Sequence, residues 1–489
     1  MDCRILRTFT MRERLILILF LFLSGQVWSQ DIDLNQLEKE VSNTKTNNDL
    51  RDQAKKITLQ DAIEEGLRNN FNEKVRSYTF QLNELDFKDT YEEFWYPQLN
   101  LTMQTDGDHF VDNIYRDANQ NAQDSTVSPV GYVGLEIEDY SLFNWGRDYL
   151  DYLSAKNTYA RNKQRLKEQR RALRFNIIAE YFNLARQNNV VKILKRQLSH
   201  TSFIYRLAKE KMRIRKIDSQ EFLQTKQLFL KAHKNYQDAL FEYYQIQESL
   251  ARYLGDDLET IYYPINELKF EPMTIKLSES LALSMRNSPE LLDARVEMEN
   301  ASRSYQRSLK DNLPLPEITM KLGSYQRQFS GTGFEDNYET FSGSKNVEVA
   351  ASLNMTWTIY GGGGFLNKRV QESSFYQKKI REIQLRETHR DIKVTNKLTH
   401  SRVIYLQKKF AAVEKQRETS RRVFDKAVDN YIASKTRFAD IYQVLEELQS
   451  SQVYYENTKY EHLLEKLKLA QLMGVDDFPG EKFDTLVLK

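Results

Sequence analysis

Two stretches of this chain contain neither glycine nor proline, the residues that most often interrupt helices. They run from Arg147 to Leu254 and from Phe365 to Met473, and each is longer than 100 residues. Large side chains recur at every seventh position in the second part of each stretch, which is the spacing of a coiled coil. These positions are Phe222, Phe229, Tyr236, Tyr243 and Leu250 in the first stretch, and Ile441, Leu448, Tyr455, His462 and Leu469 in the second.

Both stretches are much longer than an ordinary globular helix, so we predict that each folds back on itself as a helical hairpin. The turns are expected near residues 215–221 and 434–440. Each arm would then have roughly 65 residues and a length of about 100 Å.

Short motifs recur along the chain at offsets of 217 to 219 residues. Five such pairs at a near-constant offset indicate a duplicated unit. Each unit opens with a predicted helix, over residues 57–95 and 275–312, that a proline ends. The paired motifs are Ile57-Thr58-Leu59 and Ile275-Lys276-Leu277, Arg68-Asn69 and Arg286-Asn287, Tyr96-Pro97 and Leu315-Pro316, Leu142-Phe143-Asn144-Trp145-Gly146 and Ile359-Tyr360-Gly361-Gly362-Gly363, and Leu254-Gly255 and Met473-Gly474.

Between the first helix and the long stretch of each unit, apolar and polar residues alternate. This period of two predicts two β-strands per unit, each with one apolar and one polar face. Polar loops are expected at residues 105–129 and 327–346. The clearest apolar set is Val347, Val349, Ala351, Leu353, Met355, Trp357 and Ile359.

Four strands with a fully apolar face cannot satisfy their own edges in lipid, and a closed barrel needs about eight strands or more. We therefore expect an oligomeric barrel to which each chain contributes four strands. The apolar faces would meet lipid, and the polar faces, with Glu136, Glu138 and Glu348, would line a watery lumen. The alternative is a soluble β-sandwich with the apolar faces packed together, although no further strands supply a second sheet.

The first 29 residues predict a secretory signal peptide. Basic residues precede the short apolar run Leu15 to Leu23, and the expected cleavage follows Ser29. The remaining chain has 67 basic and 67 acidic residues and no cysteine. It therefore has no excess of positive charge for nucleic acid, and it offers no disulfide framework.

Catalytic chemistry finds no support in the sequence. The six histidines have no metal-ligand spacing, no nucleophile is paired with a base, and nothing calls for a cofactor. We predict that the protein is not an enzyme.

The motifs divide the chain into six expected segments. They are a signal peptide (1–29), an N-terminal periplasmic segment (30–56), a first repeat (57–256, with a β-hairpin at 98–142 and a helical hairpin at 147–254), a linker (257–274), a second repeat (275–475, with a β-hairpin at 317–360 and a helical hairpin at 365–473) and a C-terminal tail (476–489).

In this order and spacing, the motifs resemble those of the TolC-type outer-membrane efflux proteins. The resemblance covers residues 57 to about 475. It rests on Ile57-Thr58-Leu59 with Ala62 and Asn69-Asn70, Tyr96-Pro97 with Leu99, Leu142-Phe143-Asn144-Trp145-Gly146-Arg147, Asn287-Ser288-Pro289-Glu290 and Ile359-Tyr360-Gly361-Gly362-Gly363.

The resemblance implies an α+β membrane protein of the outer membrane of a Gram-negative-type bacterium, extending into the periplasm. Three identical chains would form a twelve-stranded β-barrel above a periplasmic α-helical barrel. The family exports small molecules or proteins, in tripartite efflux or type I secretion systems, together with a periplasmic adaptor and an inner-membrane pump. The chain would accordingly be the passive exit duct.

The same resemblance assigns a periplasmic entrance constriction to the hairpin ends. Asp440 matches the first acidic position of the family's constriction, and Gln443 replaces the second acid. Tyr431 is the counterpart of the family's tyrosine at this place, and Glu221 is the corresponding acid of the first repeat. Arg437, three residues before Asp440, is placed to pair with it on one helical face, although its family match is off by one position.

Two interpretations of Asp440 stay open. Three symmetry-related carboxylates at a narrow mouth would attract cations. Alternatively, Asp440 is a solvated residue at a helix start, where the helix dipole favours it. For the whole protein, the rival function is a periplasmic adaptor or a coiled-coil tether without a pore. The duplicated hairpin and the alternating strands favour the duct.

Overall fold

The structure, a computed structural model, describes residues 54–116, 122–257, 260–329, 348–357, 359, 368–433, 435, 438–478 and 482–483. The predicted signal peptide and Arg437 lie outside these residues. The elements of the first half are β1 (Lys55–Ile57), α1 (Leu59–Asn69), α2 (Phe71–Trp95), β2 (Leu99–Arg116), β3 (Ala122–Phe143), α3 (Arg147–Arg213) and α4 (Ser219–Leu254). Those of the second half are β4 (Tyr262–Pro264), α5 (Leu277–Asn287), α6 (Pro289–Asp311), β5 (Glu317–Phe329), β6 (Glu348–Thr356), α7 (Lys368–Ile432) and α8 (Phe438–Met473).

The predicted single helices at 57–95 and 275–312 are each two helices, so that prediction was wrong. The first break is at Asn70, whose backbone is extended (φ −56°, ψ 127°) and whose side chain caps α2 by accepting from the backbone N–H of Asn72 at 2.9 Å. The second break is at Ser288, and Pro289 begins α6 at the position where a missing N–H costs nothing. A side-chain cap overrides helical periodicity at the first break, and a proline does so at the second.

The prediction of equal hairpin arms was also wrong. The outgoing helices α3 and α7 have 67 and 65 residues, whereas the returning helices α4 and α8 have 36 each. The rest of each long helix packs against a different partner, since α2 lies along α3 and α6 lies along α7. Each long helix therefore has two shorter partners placed end to end.

The returning helices stop at two glycines in the left-handed region, Gly255 (φ 74°) and Gly474 (φ 64°). A Cβ on Gly255 would lie 2.6 Å from the backbone oxygen of Asn69, and one on Gly474 would lie 2.5 Å from that of Asn287. Only glycine permits both this backbone conformation and this close approach. The end of each returning helix thus rests directly on the break between the two short helices of its own half.

A buried core joins the two halves around this level. Tyr181 of α3 is fully buried and donates to the backbone oxygen of Ile57 at 3.1 Å, while its hydroxyl accepts from the N–H of Asn266 at 3.1 Å. The same core holds Phe182, Leu250, Leu254, Tyr262, Leu469, Ala470, Met473 and Phe483, from both halves of the chain. Strands β1 and β4, one from each half, pair in parallel beside it.

The four remaining strands form one antiparallel sheet in the order β2-β3-β5-β6. Leu99 lies opposite Ile137, which lies opposite Leu322, so one face is apolar. Asn100 lies opposite Glu136 on the other face. The apolar face is uncovered: Leu101 is 64% exposed and Leu353 is 66% exposed, whereas Glu136 is 9% exposed.

The predicted loop at 105–129 was wrong for most of its length, because β2 continues to Arg116 and β3 begins at Ala122. Ladder hydrogen bonds join backbone groups, so a strand can continue through polar residues once its partner is in register. In the second half, β5 continues to Phe329, and residues 330–347 lie outside the described part of the chain. No second sheet covers the apolar face among the described residues, which leaves the sandwich alternative without support.

None of the described helices contains an apolar run long enough to cross a bilayer.

Gly255→Ala should destabilise the protein by roughly 1 to 3 kcal/mol, because the new methyl group meets a backbone carbonyl as well as a left-handed conformation. Gly146→Ala is the matched control. Its φ is also positive, at 75°, but its Cβ would meet only the flexible end of Lys310 at 3.2 Å. Thermal unfolding of the detergent-solubilised protein, followed by circular dichroism, should show a clearly larger fall for Gly255→Ala. Equal falls would mean that the contact with Asn69 contributes nothing.

Candidate functional site

The ends of both long helix pairs lie together, far from the sheet. Helix α3 leaves the sheet at Arg147 and ends at Arg213, roughly 100 Å away at the usual helical rise. Side chains from α3, α4, α7 and α8 pack there in one apolar group, which we call the tip cluster. It consists of Ile204, Leu228, Phe424, Tyr431, Ile441, Leu445 and Leu448.

The turn between α3 and α4 is formed by local backbone chemistry. Arg215 has a positive φ of 57°, and Asp218 caps α4 by accepting from the N–H of Glu221 at 2.7 Å. Glu221 therefore lies in the first turn of α4, where the helix dipole favours a carboxylate. The chain turns at residues 214–218.

Lys211 of α3 joins the first helix pair to the second. Its Nζ lies 4.0 Å from the centroid of the Tyr431 ring and donates to the backbone oxygen of Tyr431 at 3.3 Å. Tyr431 is 2% exposed, and its hydroxyl has no hydrogen-bond partner within the described chain. The contact is therefore a cation over an aromatic face, supported by one hydrogen bond to the backbone.

Glu221 acts electrostatically on both members of this contact. Burial, together with the nearby charge of Glu221, raises the pKa of Tyr431 to about 12. Burial lowers the pKa of Lys211, while the carboxylate of Glu221 opposes that shift. The structure thus brings together Glu221 and Tyr431, which the sequence singled out, with Lys211, which it did not.

A second link joins α4 to α8. Lys231 pairs with the carboxylate of Glu446 and lies 3.3 Å from the hydroxyl of Tyr442, which donates to Glu446 at 2.8 Å. The hydrogen bond to Glu446 is the main cause of a raised pKa at Lys231. Burial alone would raise the pKa of Glu446, but the hydrogen bonds from Lys231 and Tyr442 outweigh it and the pKa lies below its ordinary value.

Lys211 and Lys231 carried no sequence signal that separates them from the many other lysines of the long helices. Their partners are more than 200 residues away along the chain. Only the packing of one helix pair on the other reveals them.

The other predicted residues are placed as follows. Asp440 lies in the first turn of α8 and is exposed, one residue before the buried Ile441. Glu136 is on the polar face of the sheet. Glu138 belongs to β3 and Glu348 to β6, and their side chains lie outside the described part of the structure.

The contacts of the site join one helix pair to the other. In the described part of the chain, no group of three or more His, Cys, Asp and Glu residues is arranged to hold a metal. What the geometry provides is a small apolar cluster, a cation over a ring and one ion pair, all between the two helix pairs.

Comparisons with known proteins agree with this architecture. Residues 93–256 match the sequence profile of the family described as outer membrane efflux protein. No curated protein matches the sequence.

Three solved structures share the fold at low sequence identity. A membrane protein from Pseudomonas aeruginosa is 14% identical with a TM-score of 0.72, and the alignment covers 88% of this chain and 92% of that one. The CmeC outer membrane channel of Campylobacter jejuni is 14% identical with a TM-score of 0.71, with 85% of each chain covered. The outer membrane protein VceC of Vibrio cholerae is 14% identical with a TM-score of 0.68, covering 85% of this chain and 96% of that one.

At this identity the three structures establish the fold. The profile match, over residues 93–256, makes that part of the chain similar to the outer membrane efflux protein family.

Proposed function

We propose that three copies of this chain close into one duct, through which solutes leave the periplasm passively across the outer membrane. The observation that carries the proposal is that the sheet has an open edge on each side. Within the described residues, the outer edges of β2 and β6 have no strand beside them. An open edge on each side of a sheet is what a closed ring of copies would pair.

Each open edge continues into a helix with an uncovered apolar stripe. Helix α2 precedes β2, and five of its side chains, between 53% and 68% exposed, follow the alternating spacing of four and three residues that is typical of coiled coils. Helix α7 follows β6 and carries a similar stripe. The two stripes are Phe71, Val75, Tyr78, Leu82 and Leu85 on α2, and Tyr376, Ile380, Ile383, Val394, Leu398 and Tyr405 on α7.

We infer that the α2 stripe of one copy meets the α7 stripe of the next, while β2 pairs with β6 of its neighbour. This head-to-tail contact repeats around a ring. Three copies with four strands each would make a twelve-stranded barrel, with the apolar face towards lipid. Glu136, Glu138 and Glu348 would then line the lumen. The divisions at 57–256 and 275–475 are the two repeats that build each copy.

At the other end, the tip cluster would close the duct. We propose that Glu221 and Asp440 contribute carboxylates to the periplasmic entrance, that Arg437 pairs with Asp440, and that Tyr431 holds the two helix pairs together. A periplasmic adaptor protein and an inner-membrane pump would open the entrance and supply the energy. A pore-less adaptor or tether has no use for the exposed apolar face of the sheet, which favours the duct.

Conductance in planar bilayers tests the duct. The purified protein should have the mass of three chains and should give stable unitary currents that favour cations, because a ring of carboxylates at a narrow mouth attracts them. Asp440→Asn should reduce that preference. Asp238→Asn, the same charge change midway along α4, should leave it unaltered. A monomeric protein that gives no currents would refute the duct. An unchanged preference for cations in Asp440→Asn would refute the assignment of Asp440 to the entrance.

Lys211→Met should open the entrance more often. The substitution keeps the aliphatic chain and removes the ammonium over Tyr431, a contact worth roughly 0.5 to 2 kcal/mol, so the ratio of open to closed channels should rise roughly twofold to thirtyfold. Lys209→Met, two positions away on an exposed part of α3, is the control. Tyr431→Phe should behave like wild type because the lost hydroxyl has no partner in the described chain. Equal open probability in all four proteins would exclude a role for the Lys211 contact.

The ion pair between Lys231 and Glu446 should give stability that depends on pH in one direction. The folded pKa of Glu446 is below its ordinary value of 4.5, so its contribution is complete above about pH 4.5 and is lost as the pH falls through the folded pKa. The difference in melting temperature between wild type and Glu446→Gln should therefore be constant above that pH and shrink below it. Glu418→Gln, at an exposed position on α7, should show no such change. A difference that grows on acidification would contradict the assignment.

A further inference from the structure

A cavity of about 460 Å³ lies where α2 and α3 meet the sheet. We propose that it binds organic cations with an aromatic or apolar body, as a station for substrates inside the duct. The proposal rests on the proposed function, since it names the class of solute that the duct would carry. The volume is within the range of small-molecule sites in proteins.

Aromatic rings form much of the cavity wall. Phe94, at the end of α2, stacks on Tyr152 of α3 with ring centroids 5.0 Å apart and an interplanar angle of 15°. Tyr96 and Tyr140 line the same space. The faces of such rings attract cations and accommodate flat apolar groups, which is how proteins recognise quaternary ammonium and similar ligands.

Carboxylates provide the charge. Glu93, Asp148 and Asp151 line the cavity. Asp151 is neutralised by an ion pair with Arg307. Glu93 and Asp148 take part in no ion pair among the described residues, so two negative charges face the cavity without a protein counter-ion. An organic cation would supply that counter-ion, whereas an anion would be repelled.

An irregularity in β3 shapes the wall. Consecutive residues of a regular strand point to opposite faces, yet Tyr140 and Ser141 both line the cavity. The register of β3 against β5 shifts on both sides of this pair, between Ile137 and Tyr140 and between Ser141 and Phe143. Bulges of this kind redirect side chains and are common beside binding sites. The buried hydroxyl of Ser141 has no hydrogen-bond partner within the described chain, so a polar group is left over at the wall.

The strand register relates the cavity to the two faces of the sheet. Ser141 lies opposite Thr319, on the face of the sheet that carries Glu136. Tyr140 lies opposite Met320, in line with the apolar face, so the irregular end of β3 supplies wall residues from both registers. Ser141 connects the cavity to the polar face, which would line the lumen in the proposed trimer.

The duplication of the chain does not by itself produce such a site. At the repeat offsets, the second-half counterparts of Phe94, Asp151 and Tyr152 are Asn312, Lys368 and Arg369. Asn312 bonds to Gln371 at 2.9 Å, an ordinary contact between α6 and α7. The stacked rings are therefore particular to the first half, whereas the counterpart of Glu93 is Asp311, an acid that pairs with Arg147.

Ethidium is a suitable probe because it is a flat aromatic cation. Its binding to the purified trimer in detergent would be followed by fluorescence anisotropy, with the uncharged dye N-phenyl-1-naphthylamine as the neutral comparison. Glu93→Gln combined with Asp148→Asn should weaken ethidium binding roughly tenfold or more. The matched control is Asp89→Asn combined with Glu92→Gln, an equal charge change on the same part of α2 outside the cavity wall. It should leave the affinity unchanged, and the neutral dye should not distinguish the two double variants.

Tyr152→Leu is a second variant, which removes a ring and keeps both charges. It should weaken ethidium binding more than the charge control, Asp89→Asn with Glu92→Gln, does. The proposal would be overturned by wild-type trimers that do not bind ethidium, or by equal affinity in the Glu93/Asp148 variant and its control. Conductance of the same preparations separates this result from the proposed function. Trimers that bind ethidium but carry no current would refute the duct alone, and conducting trimers without ethidium binding would refute the cation site alone.

Discussion

The architecture depends on two close approaches in the middle of the molecule, where Gly255 rests on Asn69 and Gly474 rests on Asn287. Each contact ends a returning helix of 36 residues at the place where a short helix must begin to cover the rest of the long one. Without a glycine at these points, the backbone conformation would be strained and the helix end would stand away from its neighbour. The long helices would then lose a partner over part of their length. The buried core around Tyr181 and Tyr262 surrounds these contacts and ties the halves together.

The tips of the helix pairs are held less firmly than this middle. At the tips, the helix pairs share a small apolar cluster and a few polar contacts through Lys211 and Lys231. Polar contacts of this kind are each worth at most a few kcal/mol, and partly exposed ion pairs are worth less. A large core in the middle and a weakly joined tip together permit the tip to separate while the rest of the molecule stays folded. That division of stability would suit the proposed entrance, which has to open without unfolding the rest of the chain.

Much of the fold could be predicted because it depends on local patterns. The absence of glycine and proline predicts long helices, and alternation over Leu99 to Met103 and over Val347 to Ile359 predicts strands. The errors arose where another interaction prevails over the local pattern. Asn70 breaks a periodic helix because its side chain caps the next one, and β2 continues through Asp106 and Asp112 because its backbone is paired with β3. The unequal hairpin arms were missed because a pattern of apolar residues does not say which helix covers them.

In the candidate site, too, some residues could be found from the sequence and others only from the structure. Tyr431 and Glu221 were identified through the resemblance to the family's entrance, and in the structure the charge of Glu221 acts on Tyr431. Lys211 and the link from Lys231 to Glu446 join residues that are distant in the chain, and lysines on a solvated helix carry no mark of a partner. The cavity beside Phe94 and Tyr152 likewise exists only where α2, α3 and the sheet converge.

The sequence by itself determined the helical and strand periods and the polarity of each face, because these follow from residue spacing and backbone preference. Only the tertiary structure decided which helices pair, where the helix ends meet, and which charges and rings face one another. Those outcomes depend on contacts between residues that are often more than 100 positions apart, and such contacts form only after the local elements exist.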